Sequence, residues 1–346
     1  MKDSKLSIIY VGQLWQGGTC LMRMQALESQ GHTIFPLDTS CKHISLLYRV
    51  FNKVGYPPDI NNVNQKLLEH VKKKRPDIVW IDKGTIVRKK TLVSIKKNYP
   101  QTSLVHYNPD DPFGGYGKSG WRTFLKALPL YDVHFVPRAE NVNEYKQRSA
   151  KNVYFLLPTR GFDPAVHYPR KITAVEREEY GGDVGFIGSY EQDRAEKILA
   201  LADSGIKIRI WSAENWPKHK NIQHDSEGIY GDNYSLGLNS FKIILAFLRN
   251  NNRDKHTSRS IEIPACGAFM LAERTDEHLQ LFEEGKEAEF FGTTQELIDK
   301  VKFYLTQDEL RRQIAYAGRT RCLTSGYDYD FRIKKMLSRV NEVCSS

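Results

Sequence analysis

LSIIYVGQLWQGGTCLMRMQALESQGHTIFPL, residues 6–37, decides the fold class. An apolar run at 6–11 passes into a glycine-bearing loop, 12–18, and then into a helix of about 19–29. Gly31-His32 turns the chain into a second apolar run, 33–37. Strand, loop, helix, glycine and strand in that order begin a doubly wound α/β sheet. The loop is not G-x-G-x-x-G, so it carries no dinucleotide fingerprint. Gly12, Gly17 and Gly18 either let backbone approach a ligand or serve an ordinary flexible βα connection. The sequence leaves both open.

Working outward, the alternation continues. Helices are expected near 43–52, 63–74 and 89–97, with strands at 78–81, 104–107, 133–136 and 153–157 and a polar helix at 138–148. Such alternation implies a parallel sheet, whose ligands gather at the carboxyl ends of the strands. At one such end lies Tyr107-Asn108-Pro109-Asp110-Asp111-Pro112-Phe113. Asp110 or Asp111 could act as a general base or orient a sugar hydroxyl; a plain Pro-Asp turn is the competing reading. The charged, glycine-rich run up to Gly182 lacks apolar periodicity and reads as a hinge at 166–182. A second series begins at Asp183-Val184-Gly185-Phe186-Ile187-Gly188-Ser189. It divides the chain into domain 1–165, domain 183–326 and a last helix, 327–346.

The chemical centre is DKHTSRSIEIPACGAFMLAE, residues 254–273. It reads as a short helix that enters a tight turn and delivers a buried strand, with Thr257 and Ser258 as N-cap candidates and Pro264 and Gly267 as stop signals. His256 and Arg259 beside the helix start suit a phosphate. Gly188 and Ser189, with Arg194 one turn into the next helix, would form a second positive wall. Trp216, after the strand 207–211, is either a nucleobase platform or a core residue. Asp328-Tyr329-Asp330 matches a D-x-D metal motif literally, but it opens the last helix and reads as a helix cap. No metal is expected.

The totals bound the class. With 346 residues, 40% hydrophobic and 11% aromatic, the chain has room for two globular domains. A net charge of +10 suits an anionic partner. The cations lie in small clusters (Lys72 to Arg75, Arg88 to Lys90, Arg311-Arg312), fitting either a solvated surface or peripheral contact with an anionic membrane face. A nucleic-acid face needs a contiguous basic stripe with stacking aromatics, and none is present. Five scattered cysteines without metal-like spacing imply reduced thiols, no zinc and no disulfide. No signal peptide or membrane span is read, so a cytoplasmic location, peripheral to the membrane at most, is the expectation.

IYGDNYSLGLNSFKIILAFLR (229–249), HTSRSIEIPACGAFMLAERTDE (256–277), FEEGKEAEFF (282–291), IAYAGRTRC (314–322) and DVGFIGSYEQDR (183–194) resemble the glycosyltransferases grouped with the spore maturation protein CgeB. HYNPDDPF (106–113) and LPTRGFDP (157–164) extend the similarity more loosely into the first half. The resemblance implies a GT-B architecture: α/β, two Rossmann-like domains with parallel sheets facing across a cleft, the last helix crossing back to the first domain. It implies a nucleotide-sugar donor held mainly by the second domain, no bound metal, no cofactor, and a glycan, lipid-linked or cell-surface polysaccharide acceptor. Many retaining members of that architecture carry Glu-x7-Glu here. Glu262 stands at the second position and Asp254 at the first, a departure that leaves Asp254 without an assigned role.

The donor-binding candidates are Gly188, Ser189, Arg194, His256, Thr257, Ser258, Arg259 and Glu262, the last at the position that the resemblance covers. Asp110, Asp111, Arg194 and His256 are the candidates for chemistry. Glu262 would accept the ribose hydroxyls; a surface pairing with Arg259 at i,i+3 is the alternative. Competing functions are a sugar-nucleotide epimerase of the same fold and a non-catalytic nucleotide- or anion-binding protein.

Overall fold

The 6–37 stretch forms strand β1 (Ser7–Gly12), the helix Thr19–Ser29 and strand β2 (Thr33–Asp38). β1 and β2 run parallel, in register from Ser7↔Thr33 to Gly12↔Asp38. The structure is a computed structural model that describes residues 5–40, 48, 50–51, 54–115 and 120–344. The helix expected near 43–52 lies largely outside the described residues.

The chain divides into two units. Unit 1 comprises residues through Thr159, the short segment Asn250–Arg253 and the chain from Tyr329 onward. Its sheet adds β3 (Ile78–Asp82), β4 (Ser103–Tyr107), β5 (Val133–Phe135) and β6 (Val153–Tyr154), in the order β2-β1-β3-β4-β5-β6. β3 is IVWID and buried along its whole length, as a central parallel strand covered on both faces must be. The helices Val63–Lys74 and Lys89–Asn98 bury Leu67, Val71, Leu92 and Ile95 and leave their lysines outside. The last helix, Tyr329–Cys344, buries Ile333, Met336, Leu337 and Val340 at helical spacing and packs along Thr19–Ser29. Ser29 Oγ donates to Asp330 at 2.7 Å, so that carboxylate serves this packing.

Unit 2 comprises 160–249 and 254–328. Its strands are β7 (Gly182–Ile187), β8 (Ile208–Trp211), β9 (Ile222–Asp225), β10 (Phe241–Ala246), β11 (Met270–Glu273) and β12 (Glu289–Phe291), ordered β12-β11-β10-β7-β8-β9. Both sheets are parallel throughout, and the fold class is GT-B with two Rossmann-like domains. Strand order reverses between β1 and β3 in unit 1 and between β7 and β10 in unit 2. These are the switch points where such sheets take ligands.

The segment read as a hinge, 166–182, is not where the units divide; the boundary falls between Thr159 and Arg160. Within 166–182, Thr173 and Glu176 form a capping box that starts the helix Ala174–Tyr180. His167 is buried in unit 2. Composition hid this, because local capping and one buried histidine replace apolar periodicity there.

The glycines of the 12–18 loop have local work. Gly17 sits at φ +84°, a region that favours glycine. The Gly18 N–H donates to Trp15 O at 3.1 Å, and a Cβ on Gly18 would lie 2.8 Å from the Trp15 ring. A Cβ on Gly12 would fall 2.3 Å from Cys20 Sγ and 3.2 Å from Asp82 Cβ. Gly12→Ala is therefore expected to destabilise unit 1 by about 1–3 kcal/mol through overpacking. Urea unfolding measures it, and a Cys20→Ala background should restore most of the loss. An unchanged midpoint in Gly12→Ala alone would show that the space exists.

Candidate active site

At the unit 2 switch point, β7 ends at Ile187 and β10 runs out through Phe247 and Leu248. Arg194 is buried there and bonded to backbone. Its Nε donates to Leu248 O at 3.0 Å, and its terminal nitrogens donate to Phe247 O at 3.3 Å and to Ser189 O and Oγ at 3.0 and 3.2 Å. Burial lowers its pKa to about 10, which leaves it cationic at neutral pH. Arg194 thus ties the helix Gln192–Asp203 to the end of β10, and the free phosphate ligand expected from the sequence is not what this geometry presents. The Gly188 N–H is also spent, donating to Trp211 O at 3.2 Å as the sheet ladder continues past β7. Gly188 is required for another reason: a Cβ would lie 2.9 Å from the Phe186 ring. Ser189, one residue further on, keeps an N–H with no protein partner among the described residues.

Arg259 is different. Its Nε donates to Ile187 O at 3.3 Å, and its guanidinium lies 5.8 Å from the centroid of the Tyr234 ring. No hydrogen bond or ion pair from described residues takes its two terminal nitrogens, and the side chain is only partly buried. Tyr234 first, then Glu262, hold its pKa above the ordinary value. One edge of the guanidinium is fixed on the carboxyl end of β7, and the other is a planar donor pair. That is the shape that recognises phosphate bidentately.

The helix behind it runs Arg259–Ala265. Ser258 occupies the N-cap position, but its φ and ψ of −57° and −40° are already helical and its hydroxyl does not cap. Ser260 Oγ accepts the Thr257 N–H at 3.0 Å instead and pairs with His278 Nε2 at 2.7 Å. Burial lowers the His278 pKa to about 4, so the ring is neutral; its Nδ1 meets Glu273 O at 2.6 Å. Thr257 Oγ1 is buried without a partner, the kind of atom that a ligand or water satisfies. His256 does not face outward as expected. It is fully buried, with Nδ1 2.5 Å from Glu277 Oε2.

Glu262 is buried too, and the surface pairing with Arg259 does not form. Its Oε2 accepts the Tyr234 hydroxyl at 2.8 Å, and its Oε1 lies 3.9 Å from His167 Nε2. A hydrogen bond to an ionised acceptor contributes about 1.5–3 kcal/mol, so Glu262 fixes Tyr234, and Tyr234 in turn carries the Arg259 guanidinium. Burial first, then the carboxylate, raise the Tyr234 pKa well above 10, so the phenol stays protonated and donating. The His167 ring lies edge-on to Tyr234, with centroids 5.7 Å apart. Sequence reasoning missed both Tyr234 and His167. Tyr234 stands within the quoted 229–249 stretch, and a single tyrosine on a helix of small residues was its only signal; His167 had none.

Trp216 is buried against Phe186 and Tyr190, in the core of unit 2. Asp254 is buried, with its N–H donating to Arg249 O at 3.2 Å.

The paired carboxylates belong to unit 1. Asp111 Oδ2 meets Arg253 Nε at 2.5 Å, while Oδ1 accepts from Phe113 N–H and Asn141, each at 2.9 Å. Burial alone would raise its pKa, but Arg253 and these donors hold it below the ordinary carboxylate range. A carboxylate so held is a poor general base. It fastens the Asn250–Arg253 segment into unit 1, helped by Asn252 Oδ1, which accepts the Asp111 N–H at 2.8 Å. Asp110 is more open and pairs with Lys83 at 2.7 Å. The structure therefore does not give Asp111 the base role considered from the sequence.

Cys20, Cys266, Cys322 and Cys344 are free thiols, and Cys41 lies outside the described residues. No helix among the described residues is long and apolar enough to cross a membrane.

Residues 194–338 match the family model described as "Glycosyl transferase-like". No curated protein matches the chain in sequence. Among solved structures, sucrose-phosphate synthase from Thermosynechococcus elongatus aligns with a TM-score of 0.70 at 10% identity, over 99% of this chain and 100% of that one. HepE of Anabaena, solved with UDP and glucose, aligns with a TM-score of 0.62 at 13% identity, over 96% and 99%. A glycosyltransferase of Rickettsia africae aligns with a TM-score of 0.64 at 12% identity, over 98% and 99%. Likeness at such identity is likeness of fold. Together the family match and the fold support a GT-B glycosyltransferase.

Proposed function

We propose that this chain transfers a sugar from a nucleotide-sugar donor to an acceptor, and that unit 2 binds the donor at the β7/β10 switch point. The observation that carries the reading is Arg259, anchored by one edge on Ile187 O with its other edge unpaired among the described residues, inside the segment that matches the glycosyl transferase-like family. Departure of a nucleoside diphosphate builds negative charge on phosphate oxygens while the sugar becomes oxocarbenium-like. A fixed cation and backbone donors aimed at that charge lower the barrier without reorganising. Arg259 supplies the cation; the Ser189 N–H and the Thr257 hydroxyl are the neighbouring donors. Tyr234 and Glu262 act behind Arg259, as positioning residues.

HepE has been solved with UDP-glucose, which makes UDP the first base to try. The finer proposals are membership of the CgeB-like group, hexosyl transfer, and a glycan, lipid-linked or cell-surface polysaccharide acceptor. Charge neutralisation by Arg259 makes the transfer metal-independent, so turnover should survive EDTA.

The test begins with thermal shifts against UDP, GDP, dTDP, ADP and CMP, and continues with product analysis on the matching nucleotide sugars. Nucleoside diphosphate released only when acceptor is present is the expected result. Isomerised donor without release would mean an epimerase. Binding with neither product, across an acceptor panel, would mean a non-catalytic binding protein.

A further inference from the structure

At the opposite, amino-terminal edge of the unit 2 sheet, a cavity of about 530 Å³ opens among the starts of β7, β8, β9 and β10. Its floor is Arg209, which is buried and held rigidly: Nε and a terminal nitrogen donate to Asp225 at 2.7 and 3.2 Å, and another donates to Glu178 O at 2.9 Å. The Gln223 side-chain amide faces the same guanidinium and, with its oxygen turned toward Arg209, accepts at 3.1 and 3.2 Å. Around this floor stand Arg177, Lys207 and Lys220, each exposed and none paired with a described residue. Lys242, a fourth rim cation, is paired at 2.8 Å with Asp183, the only acid in the lining. The volume falls in the range of small-molecule sites, roughly 300–1,000 Å³.

A solvated lysine face has no reason to enclose space. Here three cations, Arg177 on the helix Ala174–Tyr180 and Lys207 and Lys220 in the loops that lead into β8 and β9, line one cavity at the starts of paired strands. Convergent charge raises the local concentration of anions, and mixed arginine and lysine donors suit several oxygens on one centre. We propose that this cavity is a second ligand site, separate from the β7/β10 switch point, and that it binds a compact phosphate-bearing anion. A soluble phosphate ester and a lipid phosphate headgroup share that chemistry.

Inorganic pyrophosphate titrated calorimetrically into the full chain separates the sources when paired with vesicle sedimentation. Phosphatidylcholine vesicles with and without phosphatidylglycerol serve for the second arm. Measured in an Arg259→Ala background, so that the switch point does not compete for the probe, Lys207→Ala/Lys220→Ala is expected to weaken binding by roughly tenfold, the loss of two solvent-exposed ion pairs. Both replaced lysines are exposed and unpaired among the described residues, so the thermal midpoint should not move. Pyrophosphate binding that the double variant loses identifies a soluble ligand. Binding only to phosphatidylglycerol vesicles, lost in the same variant, identifies a headgroup. Binding in neither arm, or binding indifferent to both lysines, overturns the site. Since Arg259→Ala reports on the switch point alone, failure of the donor reading and failure of this one are distinguishable.

Discussion

Arg259→Ala is expected to cut kcat/KM for the nucleotide sugar by about 10²-fold or more, the cost of removing one preorganised donor from developing charge. Calorimetric affinity for the free nucleoside diphosphate should fall with it, because diphosphate charge is present in both ligand and leaving group. The thermal midpoint should move little, since the side chain is partly exposed and holds one neutral backbone acceptor, Ile187 O, at 3.3 Å. Arg259→Lys should recover only part of the rate: an ammonium keeps the charge but cannot grip Ile187 O and two phosphate oxygens with one planar fork. The contrast with Arg194→Ala sharpens the assignment. That change strands Phe247 O and Leu248 O at the end of β10, so its principal effect should be on stability. Normal diphosphate affinity in Arg259→Ala would sink the proposed donor site, whatever the turnover.

These two arginines show how far the sequence could be read. Alternating apolar runs and turn residues locate the strands around both switch points, because a buried parallel strand writes its burial directly into composition. β9, IQHD, and β12, EFF, escaped, being short edge strands with too little apolar run to register. At the site, the sequence places Arg194, His256, Arg259 and Glu262 near one another but does not say where each donor goes. That is decided by which backbone carbonyls end nearby: Leu248 and Phe247 take Arg194, and Ile187 takes only one edge of Arg259. The Asp111–Arg253 pair, far apart in sequence, and the burial of His167 beside Glu262 are products of tertiary packing with no local signature.

Asp82→Ala is expected to destabilise unit 1 by about 3–5 kcal/mol, the cost of stranding a buried charge. At the β1/β3 switch point, Asp82 Oδ2 takes Arg23 Nε at 2.8 Å, a second Arg23 nitrogen at 2.7 Å and the Tyr10 hydroxyl at 2.9 Å. Both charged side chains are 3% exposed. Burial alone would lower the Arg23 pKa, and the Asp82 carboxylate more than reverses that, so the guanidinium stays charged with its one carboxylate beside it. Its flat face lies 4.3 Å from the centroid of the Tyr107 ring, which leaves little room for the head to swing toward solvent once Asp82 is gone. Arg23→Met/Asp82→Ala should therefore cost less than Asp82→Ala alone, since it removes the stranded charge and keeps apolar volume on the helix Thr19–Ser29. Urea unfolding of the two variants and Arg23→Met completes the cycle. Additive losses would mean that packing, not the ion pair, holds this corner. A double variant more stable than Asp82→Ala would locate the penalty in the unpaired guanidinium.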